Sequence, residues 1–337
     1  MHVPDGFFNA ATSLSAGVVA AAGVAVCLRG ARRELDDRTA PMAGLVAAFI
    51  FAVQMLNFPV AAGTSGHLLG GALAAILVGP YTGVLCMAVV LLVQGVFFAD
   101  GGLTALGINV TIMGIVTVLV GWGVFKLVTG LTRGKVVVAA FLAALISVPA
   151  SALAFTLLFW IGGTAPIEVG AVAAAMGGVH VLIGIGEAVI TALTVGAVLA
   201  VRPDLVYGAR GLAKPLVLRG SAGSTTVVNE PQPVAASGGL KPFLWGGVGV
   251  TLVLAGLVSF FASSSPDGLE AVAETHGFSG QAADHALGGS PLADYGDVGG
   301  IPVGIAGIIG VGLVLVIGGL VAYLSRGRAK TGDRARA

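Results

Sequence analysis

Runs of apolar residues nearly as long as a bilayer is thick recur along this 337-residue chain. An α-helix needs about 20 residues to cross roughly 30 Å of hydrocarbon. With 56% hydrophobic and only 10% charged residues, the composition differs from that of soluble globular proteins. Because a backbone in lipid must satisfy its own hydrogen bonds, these runs predict helices. The expected fold class is therefore an all-α polytopic membrane protein.

Nine membrane segments are predicted between short polar, Gly- or Pro-containing breaks. They are residues 11–28, 41–58, 67–80, 83–99, 105–125, 136–162, 170–200, 243–262 and 302–324. The third segment is short, which leaves a re-entrant or tilted element open there. We therefore expect a bundle of about seven helices followed by a C-terminal hairpin of two helices.

The positions of the basic residues predict the orientation in the membrane. They cluster after the first, fifth, seventh and last segments: Arg29, Arg32 and Arg33; Lys126, Arg133 and Lys135; Arg202, Arg210, Lys214 and Arg219; Arg326, Arg328 and Lys330. Nine crossings place all of these on one side only if the amino terminus is outside and the carboxy terminus is cytoplasmic. The charges follow the first apolar run instead of preceding it, which disfavours a cleaved signal peptide.

Composition also divides the chain. Residues 1–201 hold seven predicted segments, and residues 202–242 contain GSAGSTTVVNEPQPVAASGG, a stretch that cannot bury a core and is expected to be a flexible cytoplasmic linker. Residues 243–337 form the predicted hairpin, with a loop of about forty residues outside the membrane between its helices. The hairpin therefore resembles a second protein fused to the first.

The chain starts with MHVPDGFF, which places a histidine at position two. The α-amine of Met1, the backbone nitrogen of His2 and its imidazole Nδ1 can bind one metal ion through fused chelate rings. These three nitrogens lie nearly in a plane and suit square-planar Ni(II) or Cu(II), with a fourth nitrogen completing the square. A short outer terminus that happens to contain a histidine is the alternative.

A second histidine, His67 in NFPVAAGTSGHLLGG, is the candidate fourth ligand, because it starts the third segment on the same side as Met1. An interfacial polar residue is the alternative for His67. Asn57 and Asn109 lie near the outer segment ends, where their amides could orient the imidazoles by hydrogen bonding. Hydrogen bonds between helices are the alternative role for both amides.

Another pair of polar residues, His180 and Glu187, lies seven residues apart in GGVHVLIGIGEAVIT and hence on one helix face. Ionisable groups within membrane segments are rare and costly, which favours a functional role. A structural tie between helices is equally consistent with this spacing.

Four stretches together resemble the CbiM/NikM family, the substrate-capture components of energy-coupling-factor cobalt and nickel transporters. They are MHVPDGFF, GTSGHLLGGALAAILVGPYTG, LLVQGVFFADGGLTALGINV and HVLIGIGEAVIT. The resemblance covers about residues 1–201 and implies uptake of Co²⁺ or Ni²⁺ across a prokaryotic plasma membrane. It further implies that Met1, His2 and His67 bind the transported ion, and no other cofactor is expected.

The stretch SSPDGLEAVAE resembles the PDGLE-type small component of these transporters, often called the N component. That component is a separate chain in related systems, so this protein resembles a fusion of the two. The resemblance implies that the outer loop helps to load metal. His276 and His285, with acidic neighbours including Asp267, could collect divalent cations weakly there, whereas solvated polar loop residues are the alternative.

No ATP-binding loop is expected, because GLTRGKV has the wrong spacing and lacks the Ser or Thr that would hold Mg²⁺. The chain is thus predicted not to be an enzyme. The resemblance implies two ABC ATPase subunits and a membrane coupling (T) component as partners, besides membrane lipid and without nucleic acid. The sequence disfavours two other functions. An intramembrane serine protease would use Ser65 and His180, but Ser65 lies at or above the outer boundary. A secondary metal permease would need acidic residues in several segments, and Glu187 is the single candidate.

Overall fold

The computed structural model describes residues 1–37, 39–61, 63–132, 134–210, 212, 216–219, 225–228 and 239–327. Most of these residues are helical. The helices are α1 (Ala10–Gly30), α2 (Ala40–Gln54), α3 (Gly71–Val78), α4 (Pro80–Val93), α5 (Leu106–Asn109), α6 (Thr117–Leu131), α7 (Val136–Gly162), α8 (Val169–Val201), α9 (Leu240–Gly256), α10 (Gly268–Thr275) and α11 (Val303–Ser325). Two antiparallel strand pairs join them, β1 (Phe58–Ala61) with β2 (Thr64–Gly66) and β3 (Leu216–Arg219) with β4 (Thr225–Val228). The wider turns of a π-helix extend α4 over Gln94–Phe98 and connect α5 to α6 over Val110–Val116.

A helix lies within each of the nine predicted segments, and the all-α fold class is confirmed. In the described part of the chain, seven helical stretches are long and apolar enough to cross a membrane: Ala10–Arg33, Pro80–Phe98, Leu106–Leu131, Val136–Gly162, Val169–Val201, Leu240–Phe261 and Val303–Ser325. The remaining two are shorter, since α2 has 15 residues and α3 has 8. Every residue of α3 is buried, so other helices surround it instead of lipid.

The shortness of α3 follows from the glycines at its two ends. Gly70 has a φ of +90° and Gly79 a φ of +99°, a left-handed region that side chains disfavour. These residues break the helical path on both sides of α3. The third segment is thus four irregular residues followed by a helix of eight, consistent with the expectation that it is not an ordinary span.

At one end of the bundle, several chain segments contact Glu34, which follows α1, or its neighbour Leu35. The carboxylate of Glu34 accepts hydrogen bonds from the backbone N–H of Tyr81 (3.2 Å) and Thr82 (2.7 Å) at the start of α4. The guanidinium of Arg210, beyond α8, donates to the Glu34 carbonyl at 3.4 Å. Gly327, just after α11, donates its N–H to the carbonyl of the neighbouring Leu35 at 3.2 Å.

The opposite end holds the amino terminus. There Asn9, before α1, donates its N–H to the carbonyl of Gly162 at the end of α7 (2.8 Å), and Ser263, beyond α9, donates to the carbonyl of Asn57, beyond α2 (2.8 Å). The described chain therefore runs back and forth between these two ends, with Met1 at one end and Gly327 at the other.

The C-terminal hairpin packs against the rest of the bundle through glycine-lined crossings. A Cβ atom on Gly44 of α2 would lie 3.1 Å from the Cα atom of Gly319 of α11, so the two backbones nearly touch. Large apolar side chains are exposed on the outer helix faces, as expected for contact with lipid: Leu14, Leu119, Trp160, Leu193, Trp245 and Val316. Four parts of the predicted linker (211, 213–215, 220–224 and 229–238), Arg133, and the basic tail after residue 327 lie outside the described residues.

Candidate metal centre

The first eight residues enter the bundle instead of extending into solvent. Met1 is 2% exposed and Val3 is fully buried. Asn109, at the end of α5, accepts a hydrogen bond from Val3 N at 2.9 Å and donates one to Val3 O at 3.1 Å. Asn109 therefore holds the backbone next to His2, whereas its predicted contact was with an imidazole.

A turn at Asp5 fixes the segment a second time. The Asp5 carboxylate accepts hydrogen bonds from the backbone N–H of Leu103 (3.2 Å) and Thr104 (2.7 Å). Gly102 donates its N–H to Val3 O at 2.8 Å, and a Cβ atom on Gly102 would overlap the backbone nitrogen of Asp5. The amino-terminal segment thus lies against the 101–104 loop without room for a side chain between them.

The loop that carries His67 is held from inside the bundle by two polar side chains. Glu187 of α8 accepts hydrogen bonds from Leu69 N at 2.5 Å and Gly70 N at 3.0 Å. Gln54 of α2 donates to Leu69 O at 2.9 Å. Glu187, singled out in the sequence as a buried acid, therefore satisfies backbone groups that precede α3.

Met1 and His67 meet directly. The α-amine nitrogen of Met1 lies 2.5 Å from His67 Nε2, and His67 Nδ1 lies 3.0 Å from the carbonyl of Leu68. Since a carbonyl only accepts, Nδ1 carries the ring hydrogen and Nε2 presents a lone pair to the amine. The ring of His2 stacks on that of His67 with centroids 5.0 Å apart, so the three predicted ligand residues come together.

The hairpin contributes a carboxylate to the same place. Asp267, at the start of α10, forms an ion pair with the amine of Met1 through Oδ2, and this oxygen lies 3.7 Å from His67 Nε2. Burial opposes the charged form of Asp267, but the adjacent ammonium group of Met1 holds the pKa of this carboxyl well below its usual range. Asp267 was expected to be a weakly binding loop residue.

A chain of three hydrogen bonds orients His2. The hydroxyl of Tyr295 donates to Asp100 at 2.5 Å and accepts from the amide of Gln94 at 3.1 Å. The amide oxygen of Gln94 consequently faces His2 Nε2 at 3.2 Å. Neutral His2 therefore carries its hydrogen on Nε2 and presents a lone pair at Nδ1, the atom that the chelate requires.

The other side of His2 faces negative charge. His2 Nδ1 lies 3.1 Å from a carboxylate oxygen of Asp100. Burial lowers the pKa of the His2 imidazole to about 4, although the charge of Asp100 opposes the shift. A neutral imidazole nitrogen and a carboxylate oxygen that face each other at this distance both offer electron pairs, an arrangement that favours a bound cation.

A cavity of about 640 Å³ lies at the amino-terminal end, and its lining includes His2, His67, Asp100, Asp267 and Tyr295. Asn57 and His285 also line it, whereas His276 caps the C-terminal end of α10. His285 Nδ1 accepts a hydrogen bond from Leu287 N at 3.0 Å. The proposed supporting role of Asn57 and the metal-loading role of both loop histidines stay predictions.

His180 lies in the wall of the centre, next to the hairpin. Its Nδ1 lies 2.8 Å from the carbonyl of Met176, and a Cβ atom on Gly268 would be 3.0 Å from His180 Cε1. Ser65 Oγ donates to the carbonyl of Ser265 at 2.7 Å. The Ser65 hydroxyl thus donates to a backbone carbonyl and not to His180, so the two do not form the nucleophile and base pair that a serine protease needs.

Within the described residues, no three His, Cys, Asp or Glu side chains form a metal-binding cluster. The amino terminus offers further nitrogen donors, the amine of Met1 and the backbone nitrogen of His2, beside the side chains of His2 and His67. The sequence did not predict the contact of Asp267 with Met1 or the part played by Tyr295. Local patterns carry no signal for these contacts, because the residues of the first pair are 266 positions apart.

Comparisons with known proteins place this geometry in context. The sequence pattern of CbiM, described as a cobalt uptake substrate-specific transmembrane region, matches residues 2–205, and that of the PDGLE domain matches residues 241–327. The fused nickel transport protein NikMN of Rhodobacter capsulatus is 32% identical over 96% of this chain and 98% of its own length. The cobalt transport protein CbiM of Sorangium cellulosum is 35% identical over 61% of this chain and 94% of its own.

A solved structure agrees with these matches. A crystal structure described as a truncated transition metal transporter is 28% identical, covers 59% of this chain and 99% of its own, and superposes with a TM-score of 0.55.

Proposed function

Because this chain belongs to the CbiM family and also carries a PDGLE domain, we propose that it captures Co²⁺ or Ni²⁺ for uptake. It is a multi-pass membrane protein, and its relatives are transport proteins, which favours a transporter over an enzyme. The proposed ligands are the amine of Met1, the backbone nitrogen and Nδ1 of His2, and Nε2 of His67. In this proposal the ion is the transported substrate.

One observation carries the proposal: the amine of Met1 is buried 2.5 Å from the lone pair of His67 Nε2. Burying a charged amine inside a helical bundle is costly unless partners surround it. The amide of Gln94, oriented by Tyr295, independently accepts a hydrogen bond from His2 Nε2 and so leaves Nδ1 of His2 to bind a cation. The nitrogen-rich set suits Ni(II), although Cu(II) binds such ligands more strongly by intrinsic affinity.

Energy would come from other subunits. We propose that a membrane coupling component and two ABC ATPase subunits complete an energy-coupling-factor transporter. Residues 1–201 would form the capture component, residues 202–242 a cytoplasmic linker, and residues 243–337 the N-component hairpin. The amino terminus would face outside, because the basic clusters then all lie in the cytoplasm.

The test removes one donor of the chelate. His2→Ala removes the imidazole Nδ1 and leaves the amine of Met1 and the side chain of His67 unchanged. We expect stoichiometric binding of Ni²⁺ and Co²⁺ by the purified chain, and its loss in His2→Ala. Equilibrium dialysis measures the binding, and intact mass verifies that the amine of Met1 is free.

A double variant, His276→Ala with His285→Ala, is the matched control. It removes the two loop histidines and leaves the amino terminus unchanged, so we expect its binding to equal that of the original chain. Undiminished binding in His2→Ala would refute the amino-terminal site. Loss of binding in the double variant alone would move the site to the hairpin loop.

A further inference from the structure

Only one of the two carboxylate oxygens of Asp267 caps α10, and the other faces the centre of the site. Asp267 Oδ1 accepts hydrogen bonds from Leu269 N at 2.7 Å and Glu270 N at 3.0 Å and so caps the start of α10. Glu270 in turn accepts a hydrogen bond from Asp267 N at 2.8 Å. These bonds fix the plane of the carboxylate and direct Oδ2 away from α10, towards Met1.

Backbone contacts hold this part of the hairpin against the loop that carries His67. Ser65 donates its N–H to the carbonyl of Pro266 at 2.9 Å, one residue before Asp267. The backbone carbonyl of Asp5 accepts a hydrogen bond from Ala283 N at 2.8 Å, which binds the loop to the amino-terminal segment as well. The His67 loop and the amino-terminal segment therefore hold the hairpin on either side of Asp267, which is only 8% exposed.

The distances fit donors that share one ion. First-row metal ions bind nitrogen and carboxylate oxygen at about 2.0–2.2 Å, so two donors of one ion lie at most about 4.4 Å apart. Met1 N and His67 Nε2 are 2.5 Å apart, His67 Nε2 and Asp267 Oδ2 are 3.7 Å apart, and Oδ2 contacts the amine directly. All three separations lie below that upper limit. The two contacts of the amine are hydrogen bonds made by its protonated form, and they would lengthen when the three donors bind one ion.

We propose that Asp267 is a further ligand of the captured ion, so that the hairpin adds an oxygen donor to the nitrogen ligands of the amino terminus and His67. This inference rests on the proposed function. A fifth donor outside the plane of four nitrogens converts a square-planar site into a higher-coordinate one. It also makes the coordination of the ion depend on the docking of the hairpin.

Oδ2 has a simpler possible role, which is to balance the charge of the amine only while the site is empty. Metal binding needs the unprotonated amine, so in that case the contact with Asp267 would end when the ion arrives. The two roles predict different coordination numbers for the bound ion, and this difference can be measured directly.

The test compares the full chain with Asp267→Asn, each loaded with Ni²⁺. Asparagine keeps an oxygen to cap α10 but replaces Oδ2 with an amide NH₂ group, which cannot bind the ion. X-ray absorption at the nickel edge and the magnetic moment report the coordination number. We expect five- or six-coordinate, paramagnetic nickel in the original chain and four-coordinate, diamagnetic nickel in the variant, with affinity lowered about tenfold or more.

Glu270→Gln is the matched control, because it perturbs the same cap of α10 and leaves Oδ2 unchanged. We expect its nickel spectrum to equal that of the original chain. Equal loss of binding in both variants would show that Asp267 acts only through the fold of α10, which overturns the proposal.

The remaining outcomes separate this inference from the proposed function. Identical spectra and affinities for the original chain and Asp267→Asn overturn the role of Asp267 and leave the amino-terminal site standing. Failure of the original chain to bind Ni²⁺ or Co²⁺ overturns both.

Discussion

Replacing Asn109 with leucine should weaken metal binding although Asn109 does not contact any proposed ligand atom. The amide of Asn109 bonds both backbone groups of Val3, at 2.9 Å to N and 3.1 Å to O. Leucine has a similar volume but no hydrogen-bonding group. The amino-terminal segment would thus lose the side-chain hydrogen bonds that hold the backbone next to His2.

The magnitude follows from which groups lose their partners. Val3 O keeps the hydrogen bond from Gly102 N, so at this atom the variant loses only the hydrogen bond from Asn109, worth about 0.5–1.5 kcal/mol. Val3 N is left buried without a partner, which costs about 1–3 kcal/mol. The sum, about 1.5–4.5 kcal/mol, corresponds to a Kd for Ni²⁺ raised at least about tenfold.

The assay is equilibrium dialysis of Ni²⁺ with the purified chain, alongside thermal unfolding. Asn57→Leu is the matched control, because Asn57 lines the same cavity and only its backbone carbonyl bonds Ser263 N. We expect Asn57→Leu to change the Kd less than about threefold, since an isolated polar side chain on a cavity wall contributes little. Unchanged nickel affinity in a folded Asn109→Leu variant would refute the view that this amide positions the amino terminus.

Two further substitutions test the close approach at the site and the charge at the opposite end. Gly102→Ala should lower nickel affinity at least about tenfold, because its methyl group would overlap Asp5 N, whereas Gly123→Ala, which has open space around it, should leave dialysis unchanged. Burial raises the pKa of Glu34 above 4.5 despite its hydrogen bonds to Thr82, so the folded state binds a proton more tightly than the unfolded state there. Protonated Glu34 therefore stabilises the fold at low pH, and this stability is lost as pH rises above 4.5, which lowers the melting temperature. Glu34→Gln should abolish this fall in melting temperature. A pH profile of the melting temperature that is the same in the variant would contradict the raised pKa.

Much of the fold can be read from the sequence because helices in lipid follow a local rule. The apolar runs predicted a helix at each of nine places, and the short third run indicated an unusual element. The helix ends differ by a few residues, since glycines with positive φ such as Gly79 end helices within apolar runs. The length of α2 was overestimated, because the apolar run extends beyond Gln54 into the loop before β1.

The sequence by itself also determined which atoms could bind a metal ion, because the chelate of Met1 and His2 depends only on covalent spacing. Tertiary structure decided what surrounds them. Asp267 and Tyr295 reach the centre from the hairpin, and Asn109 and Glu187 hold the backbone on either side of it. These contacts join residues far apart in the chain, and hydrophobic periodicity reports only which face of a helix is buried. Only the packing of the helices and the docking of the hairpin bring such groups together.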